Sequence, residues 1–157
     1  MQHRRFFPAI LIAGIFFAQA NRAWPCSCRE VPLEKEFAEA DAVFSGTPLE
    51  KKPDKRHWQL KKPDGTFETV TVEPIEHVRF TIDRKFKGDL PREVTVVTSA
   101  VGTMCGFYFH LGARYLVYAH KDQNGLLNAS VCSRTKPYNN SGEELKQLNT
   151  FIEKRSQ

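Results

Sequence analysis

No stretch of this sequence is long and apolar enough to suggest a membrane span. The longest apolar run covers residues 6–18, is interrupted by Pro8, and falls short of the roughly 20 residues that a spanning helix needs. A glycine-rich phosphate loop and the G-x-S-x-G turn of the α/β-hydrolases are both missing, so nothing points to nucleotide hydrolysis or to acyl transfer by an elbow serine. His57, His77, His110 and His120 show no metal-type spacing, and the cysteines form one C-x-C and two isolated residues where structural zinc sites carry paired C-x2-4-C knuckles. The expectation is a chain without catalytic residues, cofactor or metal of its own. No internal repeat or low-complexity tract appears. Neither sign of charge dominates: 23 Lys and Arg face 18 Asp and Glu, which does not by itself call for nucleic acid or an anionic membrane.

What is present begins with an address. Residues 1–20 read as a signal peptide: a basic start at His3, Arg4 and Arg5, the apolar run, and Ala18-Gln19-Ala20 as a small-x-small cleavage site. A poorer site follows Ala23, and Pro25 in front of Cys26 argues against a lipidated cysteine. Residues 21–157 then form a single domain of 137 residues, its formal charge reduced from +5 to +3 by the loss of Arg4 and Arg5. The expected location is secreted or periplasmic.

The mature chain keeps Cys26, Cys28, Cys105 and Cys132, an even number for a compartment in which disulfides persist. A bridge from Cys26 to Cys28 would close a tiny strained ring. Each therefore reaches a distant partner, and residue spacing leaves two connectivities open.

Further along, residues 33–40 (LEKEFAEA) favour a short helix with Leu33 and Phe37 on one face. AVFSGTPLE reads as the first strand, with Pro48 confining it to an edge or bulge. Residues 51–74 read as an inserted β-hairpin turning at Lys62-Pro63-Asp64-Gly65. Val78, Phe80, Ile82 and Phe86 alternate as on a half-buried strand, EVTVVTS is another, and the unbroken apolar run of RYLVYAH suits a strand buried on both faces. LLNASVC follows. Ser141 and Glu144 have the spacing of a capping box ahead of a terminal helix lined by Leu145, Leu148 and Ile152. Phe107, Tyr108, Tyr115 and Tyr118 are expected in the core, and Gly106 and Gly112 at crowded corners. The whole is a mainly β chain, expected as a five-stranded closed barrel of OB type with a short N-terminal helix, a C-terminal helix and an inserted hairpin.

Five stretches carry a resemblance: C-S-C near the mature start, ADAVFSG after a short helix, FTIDRKFKG, CGFYFHLGARYLVYAH, and CSRTKP before the last helix. In this order they resemble the netrin-like module, a family that includes the N-terminal domain of the tissue inhibitors of metalloproteinases. The chain looks like a minimal, bacterial version without the extra cysteines and second domain of the animal inhibitors. The resemblance implies an OB-type barrel with Cys26 bridged to Cys105 and Cys28 to Cys132. It also implies a protease-contact ridge of Cys26, Ser27, Cys28, Thr103 and Met104, in which a terminal Cys26 clasps the target's zinc through its amine and carbonyl. A residue left ahead of Cys26 turns that amine into an amide, whose lone pair is lost to resonance, and the clasp with it.

Three functions follow as expectations. The first is a non-catalytic exported module that binds an extracellular or periplasmic protein or a glycan through its barrel surface or hairpin. The second is a metalloendopeptidase inhibitor acting through the ridge. The third is an anionic-glycan binder using Lys51, Lys52, Lys55, Arg56, Lys61 and Lys62 around Trp58, with export disfavouring nucleic acid as the ligand.

Overall fold

A computed structural model describes residues 26–100 and 105–155, apart from the side chains of residues 56, 58 and 71–73. The signal-peptide assignment, Thr103 and Met104 lie outside the described residues. The chain runs α1 (Leu33–Glu39), β1 (Ala42–Lys61), β2 (Phe67–Lys87), β3 (Glu93–Ser99), β4 (Tyr115–Lys121), β5 (Leu127–Asn128), β6 (Lys136–Pro137), a single 3-10 turn, and α2 (Gly142–Arg155). It is mainly β with two helices. β1 pairs with β2, β2 with β3, β3 with β5, β5 with β4, and β4 returns to β1, so the pairings of five strands run in a ring. β6 adds to the side of β4.

The unbroken apolar run of β4 is explained by what lies on its two sides. Tyr115, Val117 and Ala119 join Phe44, Val78, Phe80, Val96 and Phe109 in one buried cluster. Leu116 and Tyr118 face the other way and pack with Leu33 and Phe37 of α1 and Leu148 of α2. Burying each large side chain of this kind stabilises by about 1.5–3 kcal/mol, so β4, with Val43 of β1 and Phe86 of β2, forms the surface on which both helices rest. The even-numbered set on β2 divides between these clusters: Val78 and Phe80 belong to the first and Phe86 to the second. Register shifts opposite residues 43–46 change which side of β2 meets which core. Pro48 sits at another such shift, between Pro48 and Glu50, as its missing N–H requires.

Several local expectations change. The hairpin is no separate insertion, because residues 51–74 are the far ends of β1 and β2, paired from Lys51 opposite Val78 to Lys61 opposite Phe67 with one register slip at Val72. Its turn is closed by the Gly65 amide on the Lys62 carbonyl and by Asp64, which accepts from the amide and hydroxyl of Thr66. The capping box is not made: the Ser141 hydroxyl donates to the Tyr138 carbonyl at 2.6 Å, and Glu144 is engaged elsewhere. Tyr108 is half exposed, outside the core. Gly112 stands at a positive φ of 77° with open space around it, so a turn and not crowding selects glycine there. Gly106 is the crowded one, where an added Cβ would lie 2.0 Å from the Ser99 carbonyl oxygen.

The C-terminal end of α1 has no basic residue in its own last turn. Lys87, at the end of β2, supplies the cation, donating to the carbonyls of Phe37 at 2.8 Å and Ala38 at 2.7 Å. This ties the helix to the strand that carries Phe86.

Candidate interaction surface

Two disulfides pin the leading segment. Cys26 is bonded to Cys105 with Cα atoms 5.5 Å apart, and Cys28 to Cys132 with Cα atoms 5.1 Å apart, the connectivity that the resemblance implies. Ser27 and Cys28 are exposed and Cys26 half-buried, so Cys26-Ser27-Cys28 lies along the surface with both sulfurs turned to the body of the protein. Cys105 takes a positive φ of 62°, a left-handed conformation that costs a non-glycine residue energy and is held by its surroundings.

A second, noncovalent anchor holds the same segment, and residue spacing gave no sign of it. Arg134, two residues beyond Cys132, donates to the Val31 carbonyl at 2.9 Å and forks onto both carboxylate oxygens of Glu144 in α2 at 3.1 and 2.9 Å. Lys136 of β6 also donates to Glu144. The Glu144 side chain is only 6% exposed. Burial pushes its carboxyl up, but the hydrogen bonds from Arg134 and Lys136 hold it below the ordinary value. Burial, with Glu144 beside it, also pushes the phenol of Tyr118 strongly up, and among the described residues its hydroxyl meets no partner in hydrogen-bonding geometry. Nearby, buried Glu36 of α1 meets Nε2 of His120 at 3.0 Å. That pair opens on a recess of about 220 Å³ shared with Asn128, Ser130, Cys132 and Ser133. Among the described residues, no group of three or more His, Cys, Asp and Glu side chains is placed to hold a metal ion.

The basic residues of the arm do not form one patch. Alternation along β1 puts Lys51, Lys55 and Lys61 on one side of the ribbon and Lys52 on the other. Lys51 lies 3.6 Å from Glu76 and 4.0 Å above the Tyr108 ring, Lys52 is 3.3 Å from Glu50, and Lys62 is 3.0 Å from Glu68. The ammonium groups of Lys55 and Lys61 meet no carboxylate among the described residues, although the Lys55 amide donates to Asp54 at 2.7 Å. Arg56 and Trp58 are opposite Glu73 and Val70 in the register. What the arm does present is apolar: Leu60 and Phe67, 58% and 65% exposed, stand next to its turn. These exposures exceed those of the other large apolar side chains on the described surface, a placement typical of contact residues.

The residues thus describe a disulfide-pinned β protein with a projecting two-stranded arm and a part-buried ion cluster around Glu144. A scan against protein-family models finds no match for the chain, and neither does a search of curated proteins. Among the described residues, no helix is long and apolar enough to cross a membrane.

Proposed function

We propose that this chain is an exported, disulfide-stapled binding module of netrin-like type, built on an OB-type barrel, that captures a protein partner without doing chemistry on it. The observation that carries this reading is the arm: β1 and β2 continue past the last pair with β3, Ile75 opposite Ser99, to a turn flanked by exposed Leu60 and Phe67. A ribbon exposed on both faces contributes little to a core, and its apolar end is accounted for by a partner. Neutralisation of Lys51, Lys52 and Lys62 by neighbouring carboxylates favours a protein over an anionic glycan. Two disulfides support an oxidising compartment, secreted or periplasmic.

Shortening the arm tests this reading, provided the cut spares the strand pairs that support the core. Removing all of residues 51–74 would cut into the pairs that support buried Ile75 and Val78. Replacing residues 55–74 by an Asn-Gly turn is expected to change stability by no more than about 1 kcal/mol, while capture of the partner from the native exported fraction is lost. Retained capture by the shortened, folded protein rejects the arm as the binding element.

A metalloprotease-inhibiting role is the second reading. It rests on the bridge from Cys26 to Cys105, which holds Cys26-Ser27-Cys28 at the surface. A form starting at Cys26 is expected to slow a zinc endopeptidase, whereas one starting at Asn21 does not. If neither form slows any such enzyme, the ridge has no inhibitory role.

A further inference from the structure

We propose that two copies of this chain pair through the outer edge of β2, residues Phe67 to Thr71, as an antiparallel, two-fold symmetric strand addition centred on Thr69. On the inner side β2 pairs with β1 as far as Phe67 opposite Lys61. On the outer side β3 ends at Ser99 opposite Ile75, and the Ala100 amide takes the Pro74 carbonyl at 2.9 Å. From Phe67 to Glu73 no strand lies beside that edge among the described residues, which leaves a row of backbone donors and acceptors open to a second strand.

The two edges of the arm are not alike. The β1 edge, whose pairing with β4 stops at Gly46 and whose Pro48 carbonyl accepts from the Gly112 amide at 3.1 Å, carries Pro48 and Pro53, a register shift at Leu49, and Lys51, Lys52, Lys55 and Lys61. Prolines, bulges and lysines are the features that keep an edge from pairing. Phe67-Glu68-Thr69-Val70-Thr71-Val72-Glu73 has no proline and no lysine, and Phe, Thr and Val fill five of its seven places. The register slips only at Val72, so Phe67 to Thr71 is the bulge-free part.

The occupant that fits this run is the run itself. Centred on Thr69, self-pairing sets Phe67 opposite Thr71 of the second copy, Glu68 opposite Val70, and Thr69 opposite Thr69. The acidic residue of each copy thus faces a valine and never its own equivalent, avoiding the like-charge opposition that penalises cross-strand pairs. On the central row, Gln59 already donates to the Thr69 hydroxyl at 2.7 Å. The dimer continues this row as a polar ladder across four strands, and the symmetry closes the open edge in both copies at once. The pairing uses the backbone edge of β2, whereas the binding-module reading rests on the exposed side chains of Leu60 and Phe67, so a protein that stays monomeric would leave that reading standing.

Sedimentation velocity of the disulfide-intact protein tests it, over concentrations from micromolar to millimolar. A concentration-dependent dimer is expected. T69K, which sets two lysines face to face on the two-fold axis, is expected to weaken it by about tenfold or more with unchanged thermal melting. T69C is expected to give an interchain disulfide on air oxidation, and Q59C, one strand removed from the axis, is not. A protein that stays monomeric throughout, with no covalent dimer from T69C, overturns the proposal. So does a dimer unaffected by T69K, or an edge that takes up an added foreign strand while the chain remains monomeric.

Discussion

Replacing Cys28 and Cys132 together by serine is expected to lower the thermal unfolding midpoint by about 10 °C or more. The bridge joins residues 104 apart in sequence, and closing a loop of that length in the unfolded chain is worth about 4 kcal/mol by loop entropy. In a domain of this size, each kcal/mol moves the midpoint by about 3 °C. The second bridge spans 79 residues, and because the entropy varies with the logarithm of loop length its removal is expected to cost almost as much. The two losses differ in what they release. Without the Cys28 bridge, Arg134 still holds the Val31 carbonyl, so the segment beyond Cys28 keeps a noncovalent anchor. Without the Cys26 bridge, Cys26-Ser27 hangs from Cys28 alone and loses its position beside Cys105. Calorimetry of the two double-serine variants checks this. If both melt within about 2 °C of the native protein, the disulfides are ornaments on a core that is sufficient without them.

Arg134→Met is expected to cost about 3 kcal/mol at neutral pH, the range found when one partner of a buried ion pair is removed. It leaves Glu144 buried with Lys136 as its remaining cation and deprives Val31 of its donor. The effect has a definite pH dependence. Glu144 titrates below the ordinary carboxyl value of 4.5 in the folded protein. Its contribution to stability is therefore complete above that value and is lost as pH falls through the lower folded one. Arg134 is held above its already high ordinary value by Glu144, despite partial burial, and stays charged throughout. The stability gap between native protein and variant should be widest at neutral pH and should narrow in acid once Glu144 is protonated in both. Adding Glu144→Gln to Arg134→Met is expected to recover part of the loss, since it removes the stranded charge. Urea unfolding at neutral and acidic pH reads both effects. A gap that does not change with pH would show that Arg134 acts through packing and its bond to Val31, with the ion pair contributing little.

The same contrast runs through the rest of the molecule. RYLVYAH could be recognised as a doubly buried strand because an unbroken apolar run needs apolar cover on both sides, and Leu145, Leu148 and Ile152 announced a helix face by their spacing. The residues that hold the cysteine-bearing end to the body could not be recognised this way. Ser141 and Glu144 have the spacing of a capping box, yet Arg134 and Lys136 outcompete the backbone for the carboxylate. Six basic residues within residues 51–62 suggested a polyanion patch. Strand alternation and the acids of the neighbouring strand divide and neutralise much of it.

From its sequence alone this protein is a mainly β chain with two helices, a turn at residues 62–65 and cysteines suited to an oxidising compartment. Those properties follow from periodicity, turn chemistry and composition, which are set within a few residues of one another. The tertiary structure alone decided that the hairpin is the far end of β1 and β2, that the ring of strand pairings returns to β1, and that Arg134 ties Val31 to Glu144. Each depends on groups distant along the chain, 103 residues apart for Arg134 and Val31. Their meeting is governed by the packing of two cores onto the two faces of β4, and no local pattern encodes it.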